Sequence, residues 1–431
     1  MCGNLGFNPL YCEKMLTLQR YGASIDIGTS HVGINLCSLD DCKLVGHSFE
    51  LNPQSVVGAD ILSRLKYHAS QARSVLDLSK LIKNHIDGQL HEMLGALSLP
   101  LGSIGRAVIV GNSAMHHLFF DKDIRPLLKE PFVGINKHDI SCTGKEIDMI
   151  TLNSAEVFSP PLVGGFVGND AIAVVVESGV MKQQRKAVLI DIGVNTEVGL
   201  YDEDKIYFAS AASGPAFEEM SIADGMTAEA GAISTFRFGN ESQFPNIETI
   251  GDEPVQGICG SGSISILAAL LEKRLIDEFG TFVSPEESPH VQQLGDSRAF
   301  KVARGMNDDW ILLTQQDIRM LQQSKAAIRA AIEVLFQEAK VMPEEVQHIF
   351  ITGEFGASFS FQEAVKIGMF PTLEKAEIIQ QPNGGLGGAT KILCSADGEE
   401  LCSSIADRIR YVNLTSNPVF DEQYAIHRVF E

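Results

Sequence analysis

The sequence predicts an α/β chain of two similar lobes, each a mixed sheet flanked by helices. Three observations carry this. One phrase occurs twice, as Ile25-Asp26-Ile27-Gly28-Thr29-Ser30 and as Ile190-Asp191-Ile192-Gly193-Val194-Asn195. Each copy follows an apolar run and leads into a second strand pattern (Val32 to Leu39; Thr196 to Tyr201), a polar turn and a third strand. Each half then turns helical and reaches a strand that runs into a glycine turn, at Gly111 and at Gly353. The spacing of the two copies is far longer than the ~50 residues of the longest solenoid repeats, so this is a duplicated domain plan. Strands and helices mixed in this way give sheets with helices on both faces.

The bulk properties fit that plan. The chain has 431 residues, 45% of them apolar, enough for two or three domains at ~150 residues each. A net charge of -21 repels nucleic acid and anionic membrane surfaces, so neither is expected as a partner. No apolar run approaches the ~20 residues of a membrane span. Residues 1–22 carry no basic stretch followed by an apolar one, so the expected location is the cytoplasm.

In chain order, residues 1–22 read as a lead-in, 23–180 as the first lobe, and 181–431 as the second lobe with inserted loops and a C-terminal helix. Three strand patterns fill 23–50. Helical spacing follows at Ile61, Leu62 and Leu65, and again at Leu76, Leu78, Leu81, Ile82, Ile86 and Leu90. Ala107-Val108-Ile109-Val110 is a buried strand. After the break at Ser159-Pro160-Pro161, small and apolar residues from Ala171 to Val176 form a packed helix. The second lobe opens with three strand patterns over 187–211. Thr314-Gln315-Gln316-Asp317 has the spacing of a capping box, with Asp in place of Glu, and starts a long helix. His348 to Thr352 is the strand that meets Gly353. A glycine loop, 384–388, leads into the last helix.

An Asp-x-Gly turn between two strands gathers a carboxylate and free backbone N–H groups at one point, which suits magnesium and the phosphates it bridges. Two such turns suggest two lobes closing on one nucleotide. In the first, Asp26 is a magnesium carboxylate, Gly28 admits close approach, and Thr29 and Ser30 donate hydroxyls. In the second, Asp191 holds magnesium or orients the attacking water, Gly193 opens the backbone, and Asn195 and Thr196 are donors. The plain alternative for either copy is a tight hairpin with a strand-end Asp. Asp170 is a third candidate catalytic carboxylate, or a helix N-cap, which Asp favours. Gly353-Glu354-Phe355-Gly356 brings backbone close to an adenosine, with Glu354 reaching the ribose. Gly385 in the last glycine loop is a further nucleotide contact. The run from Gly257 to Gly262 lacks the lysine of a phosphate-binding P-loop and reads as close helix packing or a partner contact. His116 and His117, adjacent in sequence, read as core or capping residues.

The eight cysteines are Cys2, Cys12, Cys37, Cys42, Cys142, Cys259, Cys394 and Cys402. They form no C-x-x-C and lack the tight spacing of an iron–sulfur site, so no cluster is expected on this chain. Cys37 and Cys42 flank the turn Ser38-Leu39-Asp40-Asp41 and read as two thiols in a hairpin.

The paired Asp-x-Gly turns, the Gly-x-Asp helix between them and the later apolar-Thr-Gly turn resemble the actin-like ATPase superfamily, which also holds sugar kinases and the large heat-shock chaperones. Longer phrases narrow this: Asn52-Pro53-Gln54 with Gly58-Ala59-Asp60, Gly111-Asn112-Ser113-Ala114-Met115-His116-His117-Leu118, Gly214-Pro215-Ala216-Phe217-Glu218, Gly257-Ile258-Cys259-Gly260-Ser261-Gly262 and Thr314-Gln315-Gln316-Asp317-Ile318. These resemble the ATPase domain of reductive activators of corrinoid proteins, over about residues 22 to 431. The resemblance implies two actin-like (ribonuclease-H-like) lobes with a nucleotide cleft between them. ATP and magnesium are the implied ligands, and a corrinoid protein the implied partner. ATP hydrolysis would be coupled to reduction of inactive cobalt(II) to cobalt(I).

Such activators carry an iron–sulfur module, whereas this sequence has no cluster motif at either end, so a separate ferredoxin-like protein is the expected electron donor. A homodimer is left open. Two other readings stay open: an ATP-regulated module that binds or loads a corrinoid protein without electron transfer, and a small-molecule kinase of the same superfamily. The small residues of Ala209 to Pro215 offer a surface that a flat macrocycle could approach, with Ser210 or Ser213 presenting an oxygen to cobalt. A tightly packed loop accounts for the same residues and is the favoured reading.

Overall fold

The computed structural model describes residues 20–70, 76–130, 132, 138–217, 221–239, 245–353 and 359–430. Cys2, Cys12, Glu218, Glu354 and Gly356 lie outside them. Two compact units are present: Met1–Lys182 with Asn383–Tyr411, and Gln183–Pro382 with Val412–Glu431.

In the first unit, β1 (Tyr21–Ile27), β2 (His31–Ser38) and β3 (Leu44–Leu51) form an antiparallel meander. Helices α1 (Ile61–Ala69) and α2 (Leu78–Ala96) follow, then β4 (Ile104–Gly111), α3 (Ser113–Phe119), β5 (Ile140–Thr143), β6 (Glu156–Ser159) and α4 (Asp170–Ser178). The sheet order is β3-β2-β1-β4-β6-β5, with β1, β4 and β6 parallel to one another. β1 and β4 are buried along nearly their whole length, as strands covered on both faces must be, which is why they read as continuous apolar runs. The Asp77 side chain accepts hydrogen bonds from the Ser79 and Lys80 amides and so starts α2 at Leu78. Leu76 therefore lies two residues before the helix its spacing suggested, outside the Asp77 cap. From α2, Leu78, Ile82, Ile86, Leu90 and Leu94 point into a core shared with Ile25, Ile34, Ile109 and Leu118.

The second unit repeats the plan. β7 (Ala187–Asp191), β8 (Thr196–Tyr201) and β9 (Ile206–Ala211) form its meander. Two small three-stranded sheets are inserted next. One holds β10 (Ala232–Phe238), β11 (Pro245–Thr249) and β12 (Gly257–Ile258). Helix α5 (Gly260–Glu272) precedes the other, which holds β13 (Val291–Leu294), β14 (Ser297–Arg304) and β15 (Trp310–Thr314). Then come α6 (Gln315–Ala339), β16 (His348–Thr352) and β17 (Glu377–Gln380). Within the unit the main sheet runs β17-β16-β7-β8-β9, with β7, β16 and β17 parallel. Strand for strand this is the order of the first unit without its β5.

The capping box forms as its spacing predicts. The Asp317 amide donates to Thr314 Oγ1 at 3.2 Å, and the Thr314 amide donates to Asp317 Oδ2 at 2.7 Å. The other Asp317 oxygen accepts from the Ala223 amide at 3.0 Å, so the cap also anchors a loop. The 257–262 glycine run is packing: a methyl group on Gly262 would overlap the Ile233 carbonyl of β10.

One boundary departs from the expected division. The segment after β17, helices α7 (Gly384–Cys394) and α8 (Gly398–Arg408), belongs to the first unit, not the second. Only α9 (Pro418–Ile426) belongs to the second. The glycines read as a loop are the opening turns of α7 itself. They make a smooth face. At Gly388 a methyl group would overlap the Ala173 carbonyl of α4, and at Gly387 it would meet the Glu177 carboxyl at 2.8 Å. Thr390 lies 2.7 Å from the Ser24 hydroxyl, and Lys391 is ion-paired with Glu177 at 3.1 Å. Sequence order hides this, because the partners of the glycine face are some 200 to 360 residues away. Among the described residues, no helix is long and apolar enough to cross a membrane.

Candidate functional site: two aspartate–glycine turns

The first turn is built by asparagine. Asp26 is the next-to-last residue of β1, opposite Gly33 of β2. Gly28 needs its missing side chain, since a Cβ there would stand 2.8 Å from the His31 carbonyl oxygen. The carbonyls of the turn are tied down from one residue. Asn52 Nδ2 donates to the Gly28 oxygen at 2.8 Å, and the Asn52 amide donates to the Ser30 oxygen at 2.7 Å. Asn112, at the end of β4, donates from Nδ2 to Thr29 Oγ1 at 3.0 Å and caps α3 through Met115. The Thr29 hydroxyl is thus an acceptor toward Asn112 and keeps its own hydrogen to donate elsewhere. The His31 ring stacks on Phe49, 4.9 Å between centroids.

The second turn is built by serine and threonine. Asp191 ends β7, opposite Glu197 of β8, which makes this hairpin one residue shorter than the first. Thr196, expected to donate to a phosphate, is fully buried. Its Oγ1 lies 3.3 Å from the Gly193 oxygen and 2.7 Å from Ser213 Oγ. Ser213 Oγ also lies 3.0 Å from the Gly193 oxygen, and the Gly214 amide donates to the Val194 oxygen at 2.9 Å. Thr196 and Ser213 therefore brace the turn from within. Ser213 is only 5% exposed and so does not present its oxygen to an outside ligand, while Ser210 donates to Glu197 Oε1 at 3.1 Å. The segment is the end of β9 followed by a turn in which Ala212 is exposed and Ser213 buried. Burial pushes the Asp191 carboxyl up to about 6.

Each turn is backed by a glycine at or just past the end of the adjacent parallel strand. Gly111 pairs with Ile27, and a Cβ on it would stand 2.6 Å from the Ile27 carbonyl oxygen. Gly353, with φ at +98°, would overlap the Ile192 carbonyl and stand 3.0 Å from Asp191 Oδ1. A left-handed φ at that point restricts the position to glycine in practice. Gly385 plays a similar part for Asp26: a side chain there would overlap the carboxylate oxygen Oδ2. The first turn of α7 thus lies directly against Asp26, where its aligned N–H groups favour negative charge.

Asp170 is not the N-cap of α4. The cap position belongs to Asn169, which is fully buried and spends its side chain on the scaffold. Asn169 Oδ1 accepts from the Gly111 amide at 2.9 Å, and Nδ2 donates to Ser159 Oγ and to the Pro160 oxygen, both at 2.8 Å. Asp170 follows as the first residue of the helix, half-buried, where the helix dipole suits a carboxylate. His116 and His117 are core residues. Burial drives His116 down to about 3, and His117 lies 2.6 Å from the Ser113 carbonyl oxygen.

Asn52, Asn112 and Asn169 are the site-building residues that reading for donors and carboxylates passes over. Each lies inside or beside a phrase that the resemblance singles out, so a signal was present.

Among the described residues, no group of three or more His, Cys, Asp or Glu side chains is arranged to hold a metal ion by itself. Magnesium does not ask for one, since it keeps several waters and is bound through one or two carboxylates plus substrate phosphates. Asp26 and Asp191 are hard oxygen donors by type, and a glycine backbone lies close against each carboxylate, Gly385 at Asp26 and Gly353 at Asp191.

Comparison with known proteins identifies the family. Residues 185–431 match the model for the C-terminal domain of RACo, the ASKHA domain, and residues 21–183 match the model for the RACo middle region. The corrinoid activation enzyme RamQ of Eubacterium limosum is 31% identical over 421 residues, covering 95% of this chain and 70% of the relative. The [Co(II) methylated amine-specific corrinoid protein] reductase of Methanosarcina barkeri is 24% identical, covering 94% and 76%. A solved reductive activator for corrinoid, iron-sulfur protein superposes with a TM-score of 0.85 at 27% identity. That match takes in 96% of this chain, which spans about two thirds (66%) of the solved one. The chain therefore belongs to the RACo family, with the middle region and the actin-like ASKHA domain in sequence.

Proposed function

We propose that this chain is an ATP-dependent activator of a corrinoid protein, restoring cobalt(I) from inactive cobalt(II) with an electron from a separate ferredoxin-like protein. The observation that carries the ATP part is the pair of Asp–Gly turns, each braced so that its carbonyls are engaged and each closely approached by a glycine from a neighbouring element. The corrinoid part rests on the relatives, one named for corrinoid activation and one for reduction of a Co(II) corrinoid protein.

In this reading Asp26 and Asp191 bind and orient magnesium-ATP. Magnesium supplies charge neutralisation of the phosphates. The Thr29 and Ser30 hydroxyls, the Asn195 side chain and the backbone at Gly28 and Gly193 hold phosphate oxygens, and Thr196 keeps the second turn in shape. Asp170 orients the attacking water from the first turn of α4. Glu354, Gly353, Gly356 and Gly385 complete the nucleotide contacts. Catalysis is positioning and electrostatic stabilisation, as phosphoryl transfer requires. ATP shifts the activator only through its different affinity for two conformations. The conformation favoured by ATP would bind the corrinoid protein so that cobalt(II) loses or changes a ligand, which eases its one-electron reduction.

The test records the cobalt(II) absorption of a corrinoid protein mixed with this chain, magnesium-ATP and a reduced ferredoxin. Loss of that band with ATP, and its persistence with Asp26→Asn or Asp191→Asn, is the expected result. A band unchanged by ATP while ATP still drives tight association would replace reduction by loading.

A further inference from the structure

Three thiols from two distant stretches of chain meet in the first unit, at the end of β2 far from its Gly28–Ser30 turn. Cys37, next to last in β2, is fully buried. Cys42 is exposed, in the β2–β3 turn, with a left-handed backbone at φ 57°. Cys394 is the last residue of α7 and is partly exposed. Cys42 Sγ donates to the Cys394 carbonyl oxygen at 3.8 Å. The neighbouring thiols act on one another's ionisation, and with burial they hold both Cys37 and Cys394 above the ordinary thiol range. All three are free, and they belong to no metal-binding group.

We propose that Cys42 and Cys394 form a reversible disulfide by exchange with a low-molecular-weight disulfide. Cys42 is the entry point because it alone of the three is exposed. Its thiolate attacks one sulfur of the small disulfide and expels the first small thiolate, leaving a mixed disulfide. Cys394 then gives up its proton to solvent and attacks the Cys42 sulfur, expelling the second small thiolate. Two protein thiols are oxidised by two electrons, and one small disulfide is reduced to two small thiols. Burial and the adjacent thiols push Cys394 up to about 12, so this second step is the slow one and quickens as pH rises.

The bond would fasten the end of α7 to the β2–β3 hairpin, joining positions 352 residues apart. The first unit is made of two separate chain segments, held by the packing of α7 on β1, β4 and α4. A covalent link there registers oxidising conditions in the element whose first turn lies against Asp26. That consequence rests on the function proposed above; the thiol chemistry does not.

The experiment treats the full chain with oxidised glutathione, blocks remaining thiols with N-ethylmaleimide, and maps unreduced peptides by mass. A Cys42–Cys394 peptide, short of two hydrogens and lost on adding dithiothreitol, is expected in the wild type and in Cys37→Ser. It is expected to be absent in Cys42→Ser and Cys394→Ser, whose melting in the reduced state serves as the folding control. Its rate of formation should climb between roughly pH 7 and 9, as a thiolate resolving step requires. A stable glutathione adduct on Cys42 alone, a link to another cysteine, or an unmodified Cys42 would each overturn the proposal, whatever the ATP assay shows.

Discussion

The hydroxyls of Thr196 and Ser213 lie 2.7 Å apart, and both reach the carbonyl oxygen of Gly193 from inside the protein. The second turn is thereby closed from behind by two residues that look, by type, like ligand donors. Replacing Ser213 with Ala removes one bridge and leaves a buried Thr196 hydroxyl with fewer partners. A loss of ~1–2 kcal/mol of stability is expected, and a roughly tenfold weaker magnesium-ATP affinity, about 1.4 kcal/mol, in titration calorimetry.

Asn52 does the corresponding work in the first unit. It is fully buried and engages the Gly28 and Ser30 carbonyls while accepting from the Gln54 amide. Asn52→Ala strands the half-buried Gly28 carbonyl and the buried Gln54 amide, and denaturant unfolding should register a loss of ~2–3 kcal/mol. Asn52→Asp keeps the size and one acceptor but loses the amide donor and adds charge, so it should not rescue the loss.

The Asp191 carboxyl, raised to about 6, makes a pH prediction with a definite sign. A carboxyl whose folded pKa lies above its unfolded value contributes stability that is complete below the unfolded pKa. That contribution is lost as pH rises through the folded one. The ligand-free chain should therefore lose stability between about pH 4 and pH 6, by ~3 kcal/mol from this residue. Asp191→Asn should flatten that part of the profile and melt higher than the wild type at neutral pH. The same variant should lose the stabilisation that magnesium-ATP gives the wild type. Thermal melts across pH, with and without the nucleotide, separate the two effects.

Gly388→Ala tests how α7 is held. In an exposed helix the change would stabilise by ~1 kcal/mol. Here the added methyl overlaps the Ala173 carbonyl of α4, so a net loss of ~1–3 kcal/mol is expected in denaturant unfolding. Gly88, also helical but with open space around its would-be Cβ, is the control, and Gly88→Ala should be neutral or stabilising.

These sites show what the sequence made legible. The two meanders, the long α6 with its capping box and the strand at His348–Thr352 follow from local periodicity and cap chemistry, and all are present. The assignment of α7 is not local. Its glycines look the same whether they bend a loop or make a flat helix face, and only Ala173, Glu177 and Asp26, far away in sequence, decide between them. The donors divide for a similar reason. Thr29 accepts from Asn112 and is half-buried, while Thr196 is fully buried and engaged with Ser213, and burial is not something residue type reveals. The asparagines were legible as parts of phrases but not as workers, because their task is to hold carbonyls whose direction the sequence does not state.

The central claim is most directly tested by the rate of phosphate release from magnesium-ATP by this chain, alone and with a corrinoid protein held in the cobalt(II) state. The account predicts slow release alone and faster release with the cobalt(II) protein, both lost in Asp191→Asn. ATP consumption that ignores the cobalt(II) protein, or phosphate that appears on a small molecule in place of water, would contradict it.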